Sequence, residues 1–168
     1  MKAKMFRALL PLAIVFTMVS CSSDASDGSS TDKKIVTTYN YNESELKLVS
    51  LINNHRTSLG LNPLEIINHI SYKSEEHNIY MIDNKVVNHD YFQQRTNNLI
   101  QLLDAERVGE NIAYNFQTPE GAFSAWLNSA GHKANLEGDW THMGISVTVD
   151  IATGKKYYTN MFMKKKPN

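Results

Sequence analysis

The sequence predicts an α+β domain in which a small sheet is covered by helices. Two observations predict it: helical apolar spacing runs through residues 42–127, and strict alternation appears only afterwards, across 145–163. No Gly-rich phosphate loop, internal repeat or heptad run accompanies them, so helices first and a hairpin last exclude a βαβ fold. At 168 residues, with 42% hydrophobic and 20% charged side chains, the composition is that of one globular domain. The 17 Lys and Arg are matched by 17 Asp and Glu, so no basic excess exists to hold nucleic acid. A single Cys excludes an intramolecular disulfide and a cysteine-rich zinc module, since each needs at least two thiols.

The amino terminus reads as an export signal. Lys2, Lys4 and Arg7 precede the apolar run ALLPLAIVFTMV at 8–19, which is interrupted by Pro11. As a helix the run would reach about 18 Å, short of the roughly 30 Å of a bilayer core. Met18-Val19-Ser20-Cys21 resembles the bacterial lipobox. Residues 1–20 are therefore expected to be a lipoprotein signal peptide, with Cys21 lipidated and heading the mature chain. Two or more acyl chains, at about 0.8 kcal/mol per buried methylene, make such an anchor stable. Loss of Lys2, Lys4 and Arg7 leaves the mature chain with a formal charge of −3. Residues 22–34, SSDASDGSSTDKK, carry almost no apolar surface, so 21–41 is expected to be a flexible Ser/Asp-rich tether to a domain spanning 42–168. The expected location is the bacterial cell envelope, exported and held to a membrane.

The first helix is predicted from Asn42, which with Glu45 forms a capping box; Leu48, Leu51, Ile52, His55 and Leu59 share one face until Gly60. After Pro63 a second helix is expected from about Glu65 to Asp83, with Ile66, Ile70, His77 and Met81 on its stripe. A weaker third spans about Phe92 to Leu103. Thr118-Pro119-Glu120 is an N-cap followed by Pro at the first helical position, and Ala122, Phe123, Trp126 and Leu127 supply the buried face. Ile145, Val147 and Val149 alternate with Ser146 and Thr148; Tyr157, Thr159, Met161 and Met163 alternate again after a turn at Thr153-Gly154, giving two antiparallel strands. Lys164-Lys165-Lys166 reads as a solvated tail.

Three segments combine a titratable residue with backbone-shaping neighbours: Asn88-His89-Asp90, the expected turn Gly109-Glu110-Asn111, and Trp126 to His132. Their order resembles the CAP superfamily, or SCP domain, of cysteine-rich secretory, antigen 5 and pathogenesis-related proteins, in its bacterial branch. The resemblance rests on Asn53-x-x-Arg56, Leu61-x-Pro63-Leu64, His89 followed by Arg95, Gly109-Glu110-Asn111, Trp126-x-x-Ser129-x-Gly131-His132-x-x-Asn135, and Met143-Gly144-Ile145-Ser146-Val147. It covers about residues 44–163.

That resemblance implies an α-β-α sandwich with a three-stranded antiparallel sheet and a cavity lined by two His and an acid. His89 matches the first cavity His, Glu110 the acid and His132 the second His. Ser129 stands where many eukaryotic members have a second acid, and the loop carrying His89 is shorter than in many bacterial relatives. His89, Glu110 and His132 can hold zinc or another divalent metal, act as an acid–base set in hydrolysis, or form a buried network without chemistry. Asn111, as a turn former, Arg95, as a carboxylate partner, Ser129 and His142 are expected as neighbours. His55, His69 and His77 are expected to be packing or surface residues. The three functional readings are a tethered domain binding a metal or small ligand, a metal-assisted, peptidase-like hydrolase of the envelope, and a structural or interaction domain without chemistry; a small-molecule, lipid or envelope partner is expected. Loss of the second acid at Ser129 favours the first.

Overall fold

The computed structural model describes residues 34–167; the expected signal peptide, Cys21 and most of the tether lie outside them. Helix α1 (Glu43–Ser58) begins as its sequence predicts. The Asn42 side chain accepts the Glu45 N–H and the Glu45 carboxylate accepts the Asn42 N–H, which satisfies two otherwise unpaired donors. Helix α2 (Asn68–Asn84) follows a two-residue strand β1 (Glu65–Ile66), where the sequence predicted helix from Glu65 onward. Helix α3 (Phe92–Leu103) leads into strand β2 (Ala105–Tyr114). Helices α4 (Pro119–Leu127) and α5 (Ala130–Leu136) precede the hairpin of β3 (His142–Val149) and β4 (Lys156–Lys165). Thr118 caps α4 through its hydroxyl, with Pro119 at the first helical position.

The strands are ordered β1-β3-β4-β2. Three of them, β3, β4 and β2, form the expected antiparallel sheet, and β1 adds a short parallel pair, Glu65 opposite His142 and Ile66 opposite Met143. Leu48, Ile52, Trp126 and Leu136 of α1, α4 and α5 cover one sheet face with Ile145, Tyr158 and Phe162. Ile70 and Leu99, from α2 and α3, cover the other with Met161 and Met163. Each fully buried aliphatic side chain here contributes about 1.5–3 kcal/mol. The result is a three-layer α-β-α sandwich. Helix α2 lies against β3 at Gly144, where a Cβ would collide with Ser71 N and the Ile70 backbone.

Side chains also close the outer side of β3 beyond β1: Ser71 Oγ accepts the Ile145 N–H at 3.0 Å and Glu45 Oε1 accepts the Val147 N–H at 2.9 Å. Residues 36–41, which composition had placed in the tether, are bonded to the folded body instead. Val36 N–H donates to His69 Nδ1 at 3.1 Å, Tyr39 OH donates to Glu45 at 3.0 Å, and Tyr41 OH donates to Asn68 Oδ1 at 3.0 Å. Arg56 is wholly buried and serves three backbone carbonyls, Asn62 through Nε and Leu136 and Gly138 through Nη1, tying the end of α1 to the end of α5. Among the described residues no helix is long and apolar enough to cross a membrane.

Candidate functional site

The Gly109-Glu110-Asn111 segment is not a turn. It runs through the middle of β2, with Glu110 opposite Met161 and Asn111 opposite Asn160. Alternation along a strand sends neighbouring side chains to opposite faces. Glu110 therefore meets the α2 and α3 layer, while Asn111 meets α5, donating through Nδ2 to the His132 carbonyl at 3.0 Å. Asn135 completes this joint, donating to the Glu110 carbonyl at 3.1 Å and to Asn111 Oδ1 at 2.9 Å. Trp126 Nε1–H donates to the Ile112 carbonyl at 2.8 Å. The outer side of β2 is thus fastened to α4 and α5 by side chains, which brings His132, in the first turn of α5, beside the strand that carries Glu110.

Arg95 is the carboxylate partner expected of it. Its Nε donates to Glu110 Oε2 at 2.9 Å and its Nη2 to Oε1 at 2.8 Å, with both residues buried. Its Nη1 donates to the Asp90 carbonyl at 2.8 Å and so holds the segment that carries His89. His89 Nδ1 lies 2.8 Å from Glu110 Oε1 while half of its side chain stays exposed. An ionised carboxylate only accepts, so Nδ1 carries a proton toward Glu110 and Nε2 points away from it. Burial alone would raise the Glu110 pKa. The His89 hydrogen bond and the Arg95 charge together outweigh burial and hold it below the ordinary carboxylate value.

A fifth group, His77 of α2, belongs to this cluster although the sequence placed it with the packing residues. It is 1% exposed, its Nε2 lies 2.8 Å from the Asn88 carbonyl and 3.9 Å from Glu110 Oε1, and its Nδ1 has no partner. Burial, followed by the Arg95 charge, lowers its pKa. No motif marks His77; its place on the apolar stripe with Ile66, Ile70 and Met81 is the only sequence signal for its burial. Partial burial lowers the pKa of His132 as well.

Another expected neighbour lies apart. His142 opens β3, two strands from β2, with Nδ1 2.8 Å from Thr141 Oγ1 and Nε2 3.5 Å from Glu65. At about 4.8 Å per strand it is roughly 10 Å from the strand of Glu110. Ser129 is the N-cap residue of α5 and makes no side-chain cap bond. His55 pairs with Glu137 at 2.9 Å, and His69 bridges Val36 N and Asn98 Oδ1. Among the described residues no group of three or more His, Cys, Asp and Glu side chains is arranged to hold a metal ion. Both Glu110 oxygens are engaged by Arg95 and His89; His77 Nδ1 is buried, and the imidazoles of His89 and His132 are the partly exposed rings beside the carboxylate.

Comparison with known proteins bears on this arrangement. The model of the CAP family, described as the cysteine-rich secretory protein family, matches residues 49–162. The membrane protein YlbC of Bacillus subtilis is 35% identical over 139 residues, covering 79% of this chain and 36% of that protein. YkwD of the same organism is 33% identical over 110 residues, covering 60% of this chain and 41% of that protein. The chain therefore spans well under half the length of these relatives. Among solved structures, an outer surface protein of Borrelia burgdorferi superposes with a TM-score of 0.67 at 25% identity, covering 78% of this chain and 100% of that one. An extracellular SCP-domain protein of Bacillus anthracis gives 0.62 at 25% identity, covering 76% and 45%.

Proposed function

The chain belongs to the cysteine-rich secretory protein family, and from that premise we propose that it is an exported, membrane-tethered domain that holds a divalent metal such as zinc between His89 and His132. The observation that carries this reading is the 2.8 Å contact of His89 Nδ1 with Glu110 Oε1. A carboxylate on one ring nitrogen fixes the tautomer, aims the other nitrogen outward and raises its basicity, which is how histidine ligands are commonly prepared. His89 would contribute Nε2 and His132 one ring nitrogen, while Glu110 remains with Arg95 and His89 as the orienting group. When bound, a metal would polarise an oxygen ligand as a Lewis acid. Two protein ligands leave coordination positions for water or a small ligand.

Proton abstraction by Glu110, as a hydrolase would need, is poorly served because both its oxygens accept bonds from Arg95 and His89. The binding reading therefore stands ahead of the enzymatic one. The tether is supported by the lipobox-like residues before Cys21. It is also supported by relatives named as a membrane protein, an outer surface protein and an extracellular protein.

The test is a zinc titration by calorimetry on the full chain in mild detergent, beside His89→Ala and His132→Ala. One-to-one binding lost in both variants is the expected result; binding that survives in both, or none in the parent, would sink the proposal. Cys21→Ser should in turn move the protein from the membrane fraction to the soluble fraction.

A further inference from the structure

We propose that His77 is a positioning residue for His89, acting through the Asn88 carbonyl. The inference deepens the reading of His89 as the imidazole that presents Nε2. Helix α2 places His77 and Tyr80, three residues apart and so on one face, against the segment that carries His89. His77 Nε2 lies 2.8 Å from the Asn88 carbonyl, the peptide bond that leads directly into His89. Tyr80 OH donates to Asp90 Oδ2 at 2.8 Å, on the other side of His89, and the Tyr80 ring stacks on His77 with centroids 5.9 Å apart. Arg95 closes the third side through the Asp90 carbonyl.

The geometry assigns the donor. A carbonyl only accepts, so Nε2 of His77 carries the proton, which also faces Glu110 Oε1 at 3.9 Å. Nδ1 is left as a buried lone pair without a partner. Leaving a buried acceptor unsatisfied is unfavourable, so the imidazole is held here for what its other nitrogen does. The segment it holds is strained. Tyr91, a bulky side chain, sits at φ 58° in the left-handed region, a conformation that persists only where surrounding bonds over-determine it. Released from His77, residues 88–91 would relax and His89 would lose its alignment with Glu110. Within the loop Asn88 Nδ2 donates to Asp90 Oδ2 at 2.9 Å and the Asp90 N–H to Asn88 Oδ1 at 3.1 Å; these bonds shape the loop, and His77 and Tyr80 fasten it to α2.

The experiment compares His77→Phe, which keeps an aromatic ring but deletes the donor, with His77→Gln, whose terminal amide reaches the same carbonyl. Two readouts are taken on the full chain in mild detergent: the imidazole ¹⁵N shifts of His89, which report its tautomer, and zinc affinity by calorimetry. His77→Phe is expected to shift His89 away from the Nδ1–H form and to weaken zinc about tenfold, with His77→Gln restoring both. His77→Phe that leaves both readouts unchanged, or His77→Gln as impaired as Phe, would overturn the proposal. Should His77→Phe not fold, Gln is compared with His77→Asn, whose shorter amide falls short of Asn88; equal behaviour of the two overturns it as well. If the parent chain takes up no zinc, the metal reading fails while the His89 tautomer still decides the role of His77.

Discussion

Arg95 holds Glu110 with both Nε and Nη2, at 2.9 and 2.8 Å, in a pair that is buried on both sides. Removing one member of such a pair strands the other charge, so Arg95→Met is expected to destabilise the fold by about 3–5 kcal/mol. Removing both, Arg95→Met with Glu110→Leu, should recover much of that loss. Urea denaturation of the two single variants and the double gives the coupling directly; simple additivity would contradict the pairing.

Glu110 and His132 both make stability rise with pH, in separate windows. The folded pKa of Glu110 lies below its ordinary 4.5, so its contribution is complete above that value and is lost as pH falls through the depressed one. His132 is lowered from 6.5, so the unfolded chain takes up its proton first, and stability drops as pH falls below that point. Unfolding free energies measured from pH 8 to 3 should show a flatter acid limb for Glu110→Gln and a flatter region beginning near pH 6.5 for His132→Gln.

Gly144 lies where α2 meets β3 with no room for a methyl group. Backbone atoms of Ile70 and Ser71 are the obstacle, and they give way less readily than a side chain. Gly144→Ala is expected to cost about 3 kcal/mol in chemical denaturation. Gly131, whose added Cβ would meet nothing within 4 Å, is the control at which Ala should be tolerated.

Arg56 bonds three carbonyls through a planar fork, a geometry that a single ammonium group cannot reproduce. Arg56→Lys retains the charge and most of the stem, yet should leave buried carbonyls unpaired and cost about 2 kcal/mol or more. A thermal midpoint unchanged within error would show that the charge alone suffices.

Legibility in the sequence followed the range of the forces involved. Helix α1 and helix α4 were readable because Asn42, Glu45, Thr118 and Pro119 act within one turn. Strand β2 was hidden because Gly109 and Asn111 look like turn residues. In the fold, Gly109 makes room for the Trp140 ring, which would lie 3.0 Å from an added Cβ, and Asn111 serves as the joint to α5. Strand β1 owes its pairing entirely to β3 and has no local signal over its two residues. A carboxylate partner for Arg95 was expected, though not that Glu110 would be that carboxylate. The part played by His77 was not, since it depends on where α2 lies across from β2, a tertiary relation without a sequence signature.

Sheet order has a further consequence for how the protein comes to be made. β4 is the strand between β3 and β2, yet it follows every other element in the chain. Until synthesis has passed residue 165, β2 lacks its only strand partner among the described residues, and Glu110 has no fixed place from which to receive Arg95 and His89. A chain interrupted before β4 would thus carry His77, His89, Arg95, Glu110 and His132 without the strand that fixes Glu110 among them, so the cluster forms only after β4 has been added.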